Sequence, residues 1–160
     1  KYKNTLQVLD KKGFRYFFAT IKHKDLDMKI SKKRGFLYDG EEFYFKVKSK
    51  KSGFVSIITV YEDGTVSTLL RNIPIKKNRV ENLPDKDFES IPEAGLIQRG
   101  VETYDMYVVI YSKKRLYLDE FAYADSELIN EEKYKNFDRL IEFLNGKVYS
   151  NLKVVTKPRI

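Results

Sequence analysis

The chain has no cysteine and no tryptophan, a single histidine, and only four prolines in 160 residues. Without cysteine the chain holds no disulfide, no thiol nucleophile and no thiolate-ligated zinc. The lone His23 lies in Lys22-His23-Lys24, between two predicted strands. There a solvated turn residue is the ordinary reading, ahead of a general base. No apolar run approaches the ~20 residues that a membrane-spanning helix needs. Gly35 and Gly40 stand apart without the pattern of a phosphate-cradling loop. Ser52 and Ser56 read as turn and strand positions, not as nucleophiles. The acidic groups Asp25/Asp27, Asp39/Glu41/Glu42, Glu62/Asp63 and Asp119/Glu120 lack the regular ligand spacing of a calcium loop. Nothing in the sequence points to a metal or another cofactor. A carboxylate-dependent hydrolase stands as an alternative with no acid pair assigned to it.

What the chain does have is apolar patterning of strand type. Hydrophobic residues make up 42% of it, enough to bury a core, and 12 Tyr and 11 Phe supply large strand-favouring side chains. Residues 14–21 read as a strand. Leu26, Met28 and Ile30 alternate with polar residues, and so do Phe43, Phe45 and Val47, so each set marks a half-buried strand. Residues 54–61 are apolar on both faces, as are 104–111, which predicts two interior strands covered on both sides. Asp63-Gly64 supplies a hairpin turn between the first of these and a strand with Val66, Thr68 and Leu70.

Residues 72–100 contain Pro74, Pro84 and Pro92 and little periodicity. They predict a long excursion with at most a short strand near 79–83. Residues 116–124 are ambiguous between strand and helix. Then the period changes: Asn130 can cap a helix whose stripe is Tyr134, Phe137, Ile141 and Leu144, ended by Asn145-Gly146. A last strand at 148–156 stops before Pro158. Seven or eight short strands with one late helix predict a mainly β fold, an antiparallel sandwich or barrel in a single domain over residues 1–160.

The net charge is +8. It permits attraction to nucleic acid, anionic lipid or acidic glycans, and solubility alone also accounts for it. The basic residues are scattered, with small clusters at Lys32-Lys33-Arg34, Lys46 to Lys51 and Lys113-Lys114-Arg115. Tyr44 with Lys46 and Lys48 could form a stacking surface for single-stranded nucleic acid. Ordinary strand composition is the simpler account of that interleaving.

Residues 36–111 resemble an uncharacterised bacterial family, a domain of unknown function found in envelope lipoproteins and beside kinase or peptidase modules. The resemblance rests on the order of short pieces. These are Gly40-Glu41 before FYFKVKS, Gly53-Phe54, Asp63-Gly64, Leu69-Leu70 with Asn72, Ile91-Pro92, and Gly100-Val101-Glu102 ahead of the Tyr104 strand. Arg71 departs from the family, which often has Pro before that Asn. The resemblance implies an immunoglobulin-like β-sandwich core over residues 36–111, with 1–35 and 112–160 as extensions packed on it. It implies an extracytoplasmic setting, tethered to the membrane through an N-terminal lipidated Cys removed from the present chain, and no established catalytic residue.

The resulting expectation is a non-enzymatic envelope domain, periplasmic or anchored to the outer membrane, that binds an envelope protein or an anionic polymer. The expected partner surface comprises Tyr44, Lys46, Lys48, Arg71, Asn72, Lys76, Lys77 and Arg79. Edge-strand pairing between two copies is a further expectation.

Overall fold

A computed structural model describes residues 21–61, 64–84, 92–121 and 130–159, with residues 130–135 described by backbone alone. The strand predicted at 14–21 and the expected cap and Tyr134 contact of the helix therefore lie outside the described side chains or residues. The described elements are β1 (Leu26–Ile30), β2 (Phe36–Tyr38), β3 (Phe45–Ser49), β4 (Gly53–Tyr61), β5 (Val66–Ile75), β6 (Glu81–Leu83), β7 (Thr103–Ser112), a 3-10 turn (Asp119–Phe121), α1 (Asn130–Leu144) and β8 (Val148–Lys157).

The strands form two sheets, one in the order β1-β3-β6 and one in the order β2-β8-β7-β4-β5. All pairings are antiparallel except β2 with β8, where Phe36 meets Val155 in parallel. The large sheet is covered on both faces, as the apolar composition of β4 and β7 predicts. On one face Ile58, Val60, Met106, Val108 and Ile110 pack with Leu118, Phe121 and the helix residues Phe137, Leu140 and Leu144. On the other, Val55, Ile57, Tyr107 and Val109 meet Leu26, Met28, Phe45 and Val47 of the small sheet. The alternating residues of β7 thus serve two separate cores, which is why so apolar a strand must lie between two layers. Phe43, Phe45 and Tyr107 pack edge to face, with ring centroids 4.9 to 5.9 Å apart. Each such buried side chain contributes about 1.5–3 kcal/mol.

Three sequence expectations change. The excursion expected from residue 72 begins only after Ile75, because β5 runs on through Asn72 and Pro74. Proline is tolerated there because β5 is the sheet's last strand, paired with β4 alone, so a missing N–H breaks no second ladder. The helix buries Leu140, while Ile141 is 41% exposed. With Phe137 and Leu144 inside, Leu140 lies on the line between them and Ile141 lies beside it. Residues 116–121 form neither a strand nor a long helix but an irregular segment ending in the 3-10 turn.

Candidate anion-binding surface

Strand pairing brings together basic segments that are far apart in sequence. β3 ends at Ser49 and β4 starts at Gly53, so Lys50, Lys51 and Ser52 turn at one end of the sandwich. The start of β4 meets the ends of β5 and β7, with Gly53 opposite Ile75 and Phe54 opposite Ser112. Lys76, Lys77 and Arg79 follow β5, and Lys113, Lys114 and Arg115 follow β7. Hydrogen bonds hold these turns to one another. The Lys77 N–H donates to Ser52 Oγ at 2.9 Å and the Asn78 N–H to the Ser49 carbonyl at 2.7 Å. Tyr111 Oη donates to the Ser52 carbonyl at 2.8 Å. Asn78, at φ 58°, makes the left-handed step that folds the chain back toward β6.

The result is a lysine-rich pole. Lys51, Lys76, Lys77, Lys113 and Lys114 are all exposed, and none has an ion-pair partner among the described residues. Four basic residues of this end are engaged. Lys50 lies 3.6 Å from the Asp25 carboxylate, and Lys22 lies 3.5 Å from that of Asp27. Arg79 lies 3.5 Å from Glu81, and Arg115 stacks over the Phe54 ring at 5.0 Å. Uncompensated like charges gathered on one surface raise the local potential and attract anions.

The expected partner residues divide into three groups. Lys76, Lys77 and Arg79 belong to the pole. Tyr44, Lys46 and Lys48 lie on the outer face of the small sheet, where Lys48 is opposite Asp27 and Lys46 opposite Lys29. Phe43 and Phe45, the rings that flank Tyr44 in sequence, are buried in the core on the other side. Arg71 and Asn72 lie on β5. Arg71 pairs with Asp119 at 2.8 Å, and both side chains are well exposed, which makes this pair worth little energetically.

Asn72 is tied into the scaffold. Its Nδ2 donates to the Leu116 carbonyl at 2.9 Å, and its Oδ1 accepts from the Leu116 N–H at 2.8 Å. Its own N–H donates to the buried Ser56 Oγ at 2.9 Å. With φ at 47°, it occupies the left-handed conformation that Asn tolerates, at a register shift between β4 and β5.

His23 is a turn residue. Its Nδ1 accepts from the Asp25 N–H at 3.1 Å, and its N–H donates to Ser150 Oγ at 2.9 Å. Among the described residues, Asp25 lies beside Lys50 at the pole while Glu41 lies beside Arg34. Among the described residues, no group of three or more His, Asp or Glu is placed to hold a metal ion. Glu41 lies at the end away from the lysine pole, bonded to the Arg34 guanidinium and accepting from the Tyr38 N–H at 3.0 Å. The Arg34 hydrogen bond, then the Tyr38 N–H, lower its pKa from 4.5 to about 2.

Lysine runs at 46–51 and 113–115 are visible in the sequence, but their meeting is not. The signal that could have joined them is the antiparallel pairing of the two most apolar strands. It sets the start of β4 beside the end of β7. Compared with known protein families, curated proteins and solved structures, the chain matches none of them.

Proposed function

We propose that this protein is a binding module of immunoglobulin-like build in a bacterial cell envelope, and that its lysine pole docks an anionic polymer of that envelope. The observation that carries the reading is the convergence of Lys50–Lys51, Lys76–Lys77 and Lys113–Lys114 at one end of the sandwich, held there by the bonds of Lys77, Asn78 and Tyr111. A rigid scaffold presenting lysines from several turns suits a repeating anion, since each lysine is a flexible point charge that needs no single geometry.

The immunoglobulin-like part of the reading is supported by the strand order. If β1 and β2 are two parts of a split first strand, then β3, β4, β5, β6, β7 and β8 follow as B, C, C′, E, F and G. The sheets become A-B-E and A′-G-F-C-C′. In that frame α1 is an insertion between F and G that covers the outer face of the larger sheet. The lipoprotein tether and the envelope setting come from the resemblance of residues 36–111, and the partner chemistry comes from the charge.

The experiment is a titration with purified lipopolysaccharide against neutral dextran, at low and at physiological salt. The intact protein is expected to bind only the anionic polymer and to lose affinity as salt screens the lysines. The triple substitution Lys76→Glu, Lys77→Glu and Lys114→Glu is expected to weaken binding by tenfold or more, about 1.4 kcal/mol or above. Equal binding by the triple variant would overturn the reading.

A further inference from the structure

A second basic feature lies away from the pole, along the side of the sandwich. Between β1 and β8 there is a groove of about 550 Å³, lined in part by Lys29, Lys32, Lys33, Lys46 and Lys153. Among the described residues its lining contains no carboxylate, and the half-buried Ile30 and Leu152 provide its accessible apolar part. We propose that this groove binds a phosphorylated saccharide, with the phosphate held by Lys29, Lys46 and the backbone N–H of Lys153 and a sugar ring against the apolar floor.

Four observations carry the proposal. First, Lys29 and Lys46 are direct cross-strand partners, and β3 sets Asn82 on the other side of Lys46. Like charges directly opposite destabilise a sheet, a cost that a bound dianion would offset. Second, of the lining lysines only Lys32 has an ion-pair partner among the described residues, Glu41 at 3.6 Å, while Lys153 lies over the Tyr104 ring at 4.3 Å. Third, the lining is lysine without arginine. Arginine is the side chain that matches a planar carboxylate with two parallel bonds, whereas converging point charges suit a phosphate. Fourth, the groove runs along an open stretch of β8. The Asn151 N–H donates to the Ile21 carbonyl at 2.7 Å, and Val155 meets Phe36 of β2. Between them, no described strand pairs with β8 on this side. The backbone of Lys153, two residues from each of these, therefore turns its N–H to the same side, toward the groove.

The volume falls in the range of small-ligand sites and exceeds what a bare phosphate fills. An apolar floor beneath a charged rim suits a ligand with one charged group and one ring face. The site is separate from the lysine pole, so the two readings fail separately.

The test is a titration of the isotope-labelled protein with glucose 6-phosphate at low salt, read from backbone amide shifts, beside glucose, inorganic phosphate and vesicles containing phosphatidic acid. Glucose 6-phosphate is expected to shift the amides of Lys29, Lys46 and Lys153 at lower concentration than inorganic phosphate, and glucose to leave them in place. Lys29→Ala with Lys46→Ala is expected to weaken the effect at least fivefold, and Lys76→Glu to leave it unchanged. The proposal is overturned if glucose 6-phosphate moves none of these amides, or if inorganic phosphate acts as strongly. It is also overturned if only the vesicles act, which would make the groove a lipid contact.

Discussion

Lys29 and Lys46 face each other directly across β1 and β3, both exposed, on the outer face of the small sheet. No ordinary packing need places two ammonium groups there, and an opposite-charge pair would serve the sheet better. Lys46→Glu is therefore expected to raise stability by roughly 0.2–1 kcal/mol at low salt. The same change should weaken glucose 6-phosphate binding. Urea denaturation beside the ligand titration checks both. A variant that is less stable and binds less well would show that Lys46 serves the fold alone.

Asn72 holds Leu116 through both of the latter's backbone polar groups. This joins the edge of the large sheet to the segment leading to Leu118 and Phe121 in the core beneath α1. Asn72→Ala removes both bonds and places a residue with little tolerance for positive φ at 47°. Leaving polar backbone groups unpaired costs about 1–3 kcal/mol, and that is the expected loss. Asn72→Gly keeps the backbone freedom and should lose less. Chemical denaturation of the two variants separates the bonds from the conformation.

At Gly53, the first residue of β4, the backbone lies tight against the end of β7. A Cβ there would stand 2.6 Å from the Ser112 carbonyl oxygen and 2.8 Å from the Tyr111 ring. The carbonyl belongs to a paired strand and cannot swing aside. Gly53→Ala is expected to destabilise the protein by about 1–3 kcal/mol, the cost of forcing atoms into a filled space. A neutral result in thermal denaturation would contradict the tight pairing of these strand ends.

Glu41 gives a pH signature. Its hydrogen bond to Arg34, reinforced by the Tyr38 N–H, holds its pKa down at about 2 against an ordinary 4.5. A group whose pKa is lowered by folding stabilises the fold fully above its unfolded value and loses that contribution as pH falls toward its folded value. Glu41→Gln should therefore be less stable than the parent at pH 7. The gap should close between about pH 4.5 and about pH 2. Urea midpoints measured across that range check the sign. A gap that widens on acidification would rule the account of Glu41 out.

Much of the fold was legible because its strands are strongly patterned. Leu26/Met28 and Phe45/Val47 alternate against polar neighbours, and they bury as that alternation predicts. β4 and β7 are apolar on both faces, and both are interior strands of the five-stranded sheet. β2 was missed because three residues between two turns carry no period. The far half of β5 was missed because Asn72 and Pro74 normally signal a loop. Here a register shift accommodates the first and the sheet edge accommodates the second. Among the predicted partner residues, sequence alone could not separate Asn72, bound into the scaffold, from Lys76 and Lys77, which stand free at the surface. The pole and the groove were hidden for one shared reason. Each is assembled by pairing between distant strands, and local pattern does not specify which strands pair.

The most direct test is a hydrogen-exchange footprint of the protein with and without bound lipopolysaccharide. The account predicts slowed exchange at the turns of residues 50–52, 76–79 and 113–115, with little change at Glu41 and β2 at the other end. Protection centred on that other end, or confined to the face of α1, would contradict the lysine pole as the docking surface.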